Sequence, residues 1–229
     1  MNIALFGYGK TGALVEDVVK ASGQHKISFV IRASNREEMH RVNNRNTDCV
    51  IDFTNAEAVL HNVDFCLTHE IPMVIGTTGW YDKLEGVEMD CLNRHGAIVW
   101  GGNFSIGVNL FFELNKYAVA LLKQFNYEPD IREVHHVQKK DKPSGTAHVL
   151  AKQTAAAMNR SLDSIGIKSE RLGDVVGQHA IYYRTPNDVI TIEHDALNRR
   201  GFAEGAVRAA AFVRDRRGFY NFADVFKQL

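Results

Sequence analysis

The sequence predicts an α/β protein in two parts: a doubly wound parallel sheet over residues 1–104, then an α+β domain with an open, mixed or mostly antiparallel sheet. Three observations carry this reading. Short Val- and Ile-rich runs alternate with amphipathic stretches through the first part, the turn after the first run reads GYGKTG, and beyond Phe104 the pattern changes to a long helix followed by alternating strands.

Asn2–Phe6 is apolar and too short for a helix, so it reads as the first strand, with Thr11–Ala21 as its helix and Lys26–Ile31 as the second strand. A short polar segment leads to the strand Cys49–Phe53, the helix Ala56–His69, the strand Pro72–Ile75, the helix Tyr81–His95 and the strand Ala97–Trp100. Parallel neighbours need crossover connections and are covered on both faces, which explains apolar runs without a polar face. Val108–Phe125 then reads as a long helix, Asp130–Gln138 as a strand whose side chains alternate, and a second helix starts near Ser144. The strands Gln178–Arg184 and Val189–Ala196 flank the turn TPND. Ser161–Gln178 reads as a long, irregular, glycine-bearing connection of the kind that serves function or an interface. The last helical pattern, Ala203–Arg214, returns to the first domain, so the expected division is 1–104 with 203–229, and 105–202.

Lys plus Arg and Asp plus Glu both number 27, so no global field draws the chain to nucleic acid or an anionic membrane. No membrane span is expected. Met1 leads directly into the first strand without a basic leader or cleavage site, which makes the cytoplasm the expected compartment. Cys49, Cys66 and Cys91 are odd in number and lack C-x-x-C spacing, so they read as buried thiols rather than disulfides or metal ligands.

The G-K-T of GYGKTG suggests a triphosphate loop, but that pattern needs a glycine where Ala4 stands, inside the first strand. The dinucleotide pattern fits. Gly7 makes the tight turn, Gly9 admits a pyrophosphate to the backbone and Gly12 lets helix and strand pack closely. Such turns also arise for packing alone; the βαβ series that follows favours the dinucleotide. No acid follows Ile31 to hold a ribose hydroxyl. Arg32 and Arg36 in RASNR would attract a 2′-phosphate, or are solvated loop charges, so NADH and NADPH both remain as cofactors.

The densest chemistry lies in EVHHVQKKDKPSGTAHVL, Glu133–Leu150. His135 and His136 are adjacent on a strand and point to opposite faces, a poor arrangement for chelating one metal, and no metal is expected. An imidazole and an ammonium group together supply a proton and stabilise negative charge, which suits reduction of a carbon–nitrogen double bond. Ser144 or Thr146 can cap the following helix, and Gly145 lets a ligand reach its amides, favouring an anionic substrate.

These motifs, with VIDFTNAEAV, MVIGTTGW, GGNFSIGVN, RLGDVVGQH and FAEGAVRAAAF in order, resemble the 4-hydroxy-tetrahydrodipicolinate reductase (dihydrodipicolinate reductase) family over nearly the whole chain. The resemblance implies a Rossmann-like N-terminal domain binding NADH or NADPH, a C-terminal domain binding a small dicarboxylate, and a homotetramer. It implies His135 as acid/base and Lys139 as proton donor, with His136, Gly145, Thr146 and Arg199 on the substrate carboxylates. Arg200, adjacent to Arg199, can also take that last role. The cofactor would meet Gly7, Tyr8, Gly9, Lys10, Thr11, Gly12, Arg32, Phe53, Gly76, Thr77, Thr78, Gly101, Gly102, Asn103 and Phe104. Many members carry an extra residue in the glycine loop and an acid after the second strand; this sequence has neither. Two other readings stand beside this one: another two-domain NAD(P) dehydrogenase, and a regulator that binds a dinucleotide without turnover.

Overall fold

A computed structural model describes all 229 residues, which divide by internal contacts into a first unit, Met1–Ile106 with Arg200–Leu229, and a second, Gly107–Arg199. The first unit holds β1 (Asn2–Phe6), α1 (Lys10–Ser22), β2 (Lys26–Ile31), β3 (Cys49–Asp52), α2 (Ala56–Thr68), β4 (Met73–Ile75), α3 (Leu84–Asn93) and β5 (Ala97–Trp100). Its sheet is parallel throughout, in the order β10-β5-β4-β3-β1-β2, where β10 is Gly218–Asn221 from the end of the chain. The alternation of β1 shows why its run is wholly apolar. Ile3 and Leu5 enter one core with Val15 and Val19 of α1, whereas Ala4 and Phe6 enter the other with Val59 and Val63 of α2.

The second unit holds α4, which starts at the boundary (Ile106–Leu122), β6 (Glu128–His135), α5 (Gly145–Ala157), β7 (Gly166–Arg171), β8 (Gln178–Arg184) and β9 (Val189–Asp195). Its sheet runs β7-β6-β8-β9, with β6 and β7 parallel and the other pairs antiparallel. Phe111 and Phe112 of α4, Leu150 and Ala151 of α5, and Ile131, Ile181 and Tyr183 of the sheet form its core. A buried polar chain ties these layers together. The Tyr183 hydroxyl donates to Asn115 Oδ1 at 2.5 Å, and Asn115 Nδ2 to Thr154 Oγ1 at 3.2 Å.

The chain then returns as α6 (Arg200–Val213), β10 (Gly218–Asn221) and α7 (Phe222–Val225). The inner face of α6 is built from Ala203, Ala206, Ala209 and Ala210, which bring it close to the sheet. Gly205 completes that face: a Cβ there would lie 1.8 Å from the Phe104 carbonyl oxygen.

Two expectations need correction, and two elements add to the reading. Ser161–Gln178 is not irregular throughout, because Gly166–Arg171 forms β7 and pairs with β6. The strand expected at Asp130–Gln138 starts at Glu128 and stops at His135, where the chain turns away. The polar segment after β2 contains a 3-10 turn, Ala33–Arg41, which Asn35 anchors by accepting from Arg32 N at 2.6 Å and donating to Val30 O at 3.1 Å. Finally β10 adds a sixth parallel strand beside β5. No helix is long and apolar enough to cross a membrane.

Candidate active site

In the second unit, strand register assembles the chemistry. Glu133 and His135 are two apart on β6 and therefore share a face; Glu133 stands opposite His179 of β8, and His135 opposite Arg171 of β7. Glu133 is fully buried. Its Oε2 meets His135 Nδ1 in a short hydrogen bond, and its Oε1 accepts from Arg171 Nη1 at 3.0 Å. Burial pushes the Glu133 carboxyl up, but the polar groups of Ser169, Arg171 and His135 outweigh it and hold it below the usual carboxylate range. His135 itself is lowered by burial, with Lys139 and Arg171 adding to the effect and Glu133 opposing it.

The imidazoles of His135 and His179 meet edge to face, with centroids 4.9 Å apart. Burial takes His179 down to about 3, so it is neutral, and its Nε2 lies 3.0 Å from Ser144 Oγ. Ser144 is the N-cap of α5, its hydroxyl accepting from Ala147 N at 3.2 Å. That leaves the amides of Gly145 and Thr146 facing outward at the positive end of the helix, and the Cβ position of Gly145 meets nothing within 4 Å. His136 turns from the strand toward Arg199, whose Nη2 donates to His136 Nε2 at 3.0 Å. Arg200 instead pairs with Glu204 at 2.9 Å. Lys139 lies in the loop after β6, with Nζ 2.8 Å from Asp141 Oδ1. The sequence-predicted His135, His136, Lys139, Gly145, Thr146 and Arg199 thus sit within one connected set of contacts in a single unit.

Glu133, His135 and His179 bring possible metal-ligand atoms within 4.8 Å of one another. The donor chemistry does not suit a cation: both Glu133 oxygens are engaged by Arg171 and His135, and the positive Arg171 and Lys139 face the same group.

In the first unit, Gly7 has φ +87° and donates its N–H to the Ile31 carbonyl at 2.9 Å, which closes the turn between β1 and α1. Gly12 lies under that turn on the first coil of α1. Gly9 is the N-cap of α1; no side chain caps the helix, its first turn has no acid, and the Cβ position of Gly9 meets nothing within 4 Å. A cleft of about 400 Å³ opens at this point, lined by Gly7, Tyr8, Gly9, Arg32, Arg36 and Phe53 among others. The Arg32 guanidinium stacks 4.3 Å from the Tyr8 ring centre. Open backbone amides, a positive helix end and two arginines fit a phosphorylated dinucleotide. A hollow of about 430 Å³ between α2 and α3 contains none of these motifs.

The other predicted cofactor residues divide by what they have left to offer. Thr77 is buried, its hydroxyl donated to Asp52 Oδ1 at 2.8 Å and its carbonyl taken by Trp80 Nε1 at 2.8 Å. Phe104 is only 2% exposed and packs at a tilt against Phe222, with ring centres 4.5 Å apart, so its ring belongs to the core. Phe53 remains half-buried beside Gly76, while Thr78 and Gly102 are exposed. Gly101 donates to the Ile75 carbonyl at 3.1 Å, and Asn103 Oδ1 accepts from Ser105 N at 2.9 Å, shaping the loop after β5.

Sequence reasoning missed Asp52, the buried hub of this edge. It accepts from Thr54 N (2.8 Å), Thr54 Oγ1 (2.7 Å), Asn62 Nδ2 (2.7 Å) and Thr77 Oγ1 (2.8 Å), joining the loops after β3 and β4 to α2. Burial raises its carboxyl, while those donors act the other way. An acid within the apolar run VIDF was its only sequence signal. Glu133, Arg171 and His179 were also missed.

Comparisons with known proteins match nearly the whole chain. The family model described as dihydrodipicolinate reductase, N-terminus, matches residues 1–104, and the C-terminus model matches 107–226. A 4-hydroxy-tetrahydrodipicolinate reductase of Christiangramia forsetii is 38% identical, covering 100% of this chain and 99% of that protein. One from Rickettsia bellii is 35% identical, covering 100% and 96%. The dipicolinate-bound dihydrodipicolinate reductase of Paenisporosarcina sp. TG-14 superposes with a TM-score of 0.84 at 22% identity, over 98% of this chain and 99% of that one, a likeness of fold.

Proposed function

The chain belongs to the dihydrodipicolinate reductase family, and from that membership we propose how its residues divide the work. It is an NAD(P)H-dependent oxidoreductase that converts 4-hydroxy-tetrahydrodipicolinate to tetrahydrodipicolinate, with loss of water, in diaminopimelate and lysine biosynthesis. The net change consumes one hydride and one proton and releases one water. The nicotinamide dinucleotide supplies the hydride, delivered to ring C4.

The observation that carries the assignment of roles is the linkage of Arg199, His136, His135, His179 and the cap of α5 through successive contacts in the second unit. Arg199, with His136 and the outward amides of Gly145 and Thr146, holds the substrate carboxylates by charge and by the helix dipole. Lys139 donates the proton, and His135 is its acid/base partner. Because the Arg199 guanidinium can only donate, His136 Nε2 accepts in this contact. In the first unit, the amides at the start of α1 would hold the pyrophosphate, while Gly76, Thr78 and the loop Gly101–Asn103 would border the nicotinamide. Initial rates of NADH and NADPH consumption with freshly generated cyclic substrate test the reading; tight binding of either without consumption would favour the regulator.

A dehydrogenase acting through a cysteine is a poorer fit. Cys49, Cys66 and Cys91 all lie buried in the first unit, where burial pushes their thiols up, away from the reactive thiolate.

Arg32 and Arg36 support use of NADPH as well as NADH, since they line the cleft at the end of β2 where a 2′-phosphate would lie. Replacing both by Ala should raise KM for NADPH about tenfold, a loss of one modest charge-assisted contact, with KM for NADH changed less than about twofold. Equal effects on both cofactors would remove the arginines from 2′-phosphate recognition.

A homotetramer working in the cytoplasm completes the proposal. Its support is β9, an edge strand exposed along most of its length, with Val189 and Ile190 47% and 39% accessible. Light scattering should give the mass of four chains; a monomer at working concentration would refute the assembly.

A further inference from the structure

We propose that Arg171 and Glu133 form a positioning pair for the reduction: Glu133 orients the His135 imidazole and fixes its tautomer, while Arg171 anchors Glu133 and pins the backbone carrying Lys139. The inference rests on the roles given to His135 and Lys139 above.

The geometry makes Arg171 a junction. From the end of β7 its guanidinium donates Nη1 to Glu133 Oε1 at 3.0 Å, Nε to the Lys139 carbonyl at 3.3 Å and Nη2 to the Asp141 carbonyl at 2.5 Å. One planar group thus ties the floor of the site to both ends of the loop segment that presents Lys139. Two backbone bonds hold the neighbouring strands in step: Leu172 N donates to the His135 carbonyl at 2.8 Å and Val137 N to the Gly173 carbonyl at 3.1 Å. An ammonium group cannot reproduce this fork, so a lysine at this position would keep the charge and lose the frame.

Glu133 acts on the proton inventory. As an ionised carboxylate it can only accept, so the neutral His135 ring must carry its proton on Nδ1 and leave Nε2 as an acceptor. Nε2 is closely approached: a Cβ at Gly177 would lie 3.1 Å from it, and Gly177 supplies no side chain that could compete for the lone pair. The charged or titratable groups facing His135 are Glu133 on its own strand, Arg171 on β7, His179 on β8 and Lys139 in the loop. Glu133 favours the protonated ring; Arg171 and Lys139 disfavour it; His179 is neutral.

The opposite signs of the two partners give a test that a merely structural role would not pass. In the full-length protein, the acidic limb of the kcat/KM profile and the NMR titration of the His135 ring are measured for Glu133→Gln, Arg171→Gln and Arg171→Lys. Glu133→Gln should move the His135 titration to lower pH and Arg171→Gln to higher pH. Each should cut kcat about a hundredfold, as expected for reacting groups displaced by about 1 Å, with the dinucleotide KM unchanged. Arg171→Lys should leave the titration near that of the wild type yet still lose turnover. If either Gln variant does not fold, Arg171→Lys decides the matter, because full turnover there overturns the proposal. An unmoved titration in both Gln variants, or a shift in the same direction, also overturns it. The NMR titration does not depend on which substrate the enzyme reduces, so a wild type that fails to turn over would count against the assigned reaction and leave the pair separately judged.

Discussion

Lys139→Ala should lower kcat by about a thousandfold while leaving the dissociation constants of NADH and NADPH within about twofold, because a positioned proton donor contributes about 10²–10⁴-fold to the chemical step. The side chain makes one ion pair, to the half-exposed Asp141, so its removal costs little stability and the fold survives the substitution. Stopped-flow single turnover separates the chemical step from product release. Full activity in the variant would remove Lys139 from the chemistry and leave the proton to His135 or water.

The second large effect belongs to the other unit. Gly7→Ala should abolish dinucleotide binding, raising Kd by at least about a hundredfold, and destabilise the first unit by about 3 kcal/mol. Two causes add. The position has φ +87°, where an L side chain is strained, and its Cβ would lie 2.3 Å from the Phe53 carbonyl oxygen, which is backbone and cannot swing aside. The chain would relieve the clash by opening the turn, and that same movement misplaces the amides at the start of α1. Calorimetric titration with the dinucleotide and a denaturant melt read the two effects separately. Wild-type affinity would show that the turn has a packing role only.

The parallel sheet was legible because each strand is covered on both faces, so runs such as Cys49–Ile51 are apolar without alternation and stand out from their helices. β7 was not legible, since GIKSER exposes Lys168 and is only partly buried at Glu170 and Arg171; its strand character comes from pairing with β6, far away in sequence. β10, the four residues GFYN, was too short to carry a period and is defined by its place beside β5. The site divides in the same way. His135, Lys139 and the capped start of α5 lie within one stretch and declare themselves by residue type. Glu133 carried a usable signal, since two residues along a strand returns to the same face. Arg171 and His179 stand at the two ends of the motif RLGDVVGQH but carried no spacing signal for this role, because register across β7 and β8 brings them to His135 and sequence spacing cannot express that register. Phe104, read as bordering the cofactor, has its ring in the core against Phe222 of α7, a placement set by tertiary packing that its motif does not express.

The central claim is that this chain moves a hydride from a reduced nicotinamide to C4 of 4-hydroxy-tetrahydrodipicolinate. The most direct measurement follows the label from a dinucleotide deuterated at the transferring position of the nicotinamide into the product by mass spectrometry and NMR. One deuterium at C4 of tetrahydrodipicolinate for each dinucleotide oxidised is the predicted result. Oxidation that leaves the product unlabelled, or binding with no oxidation, would contradict the account.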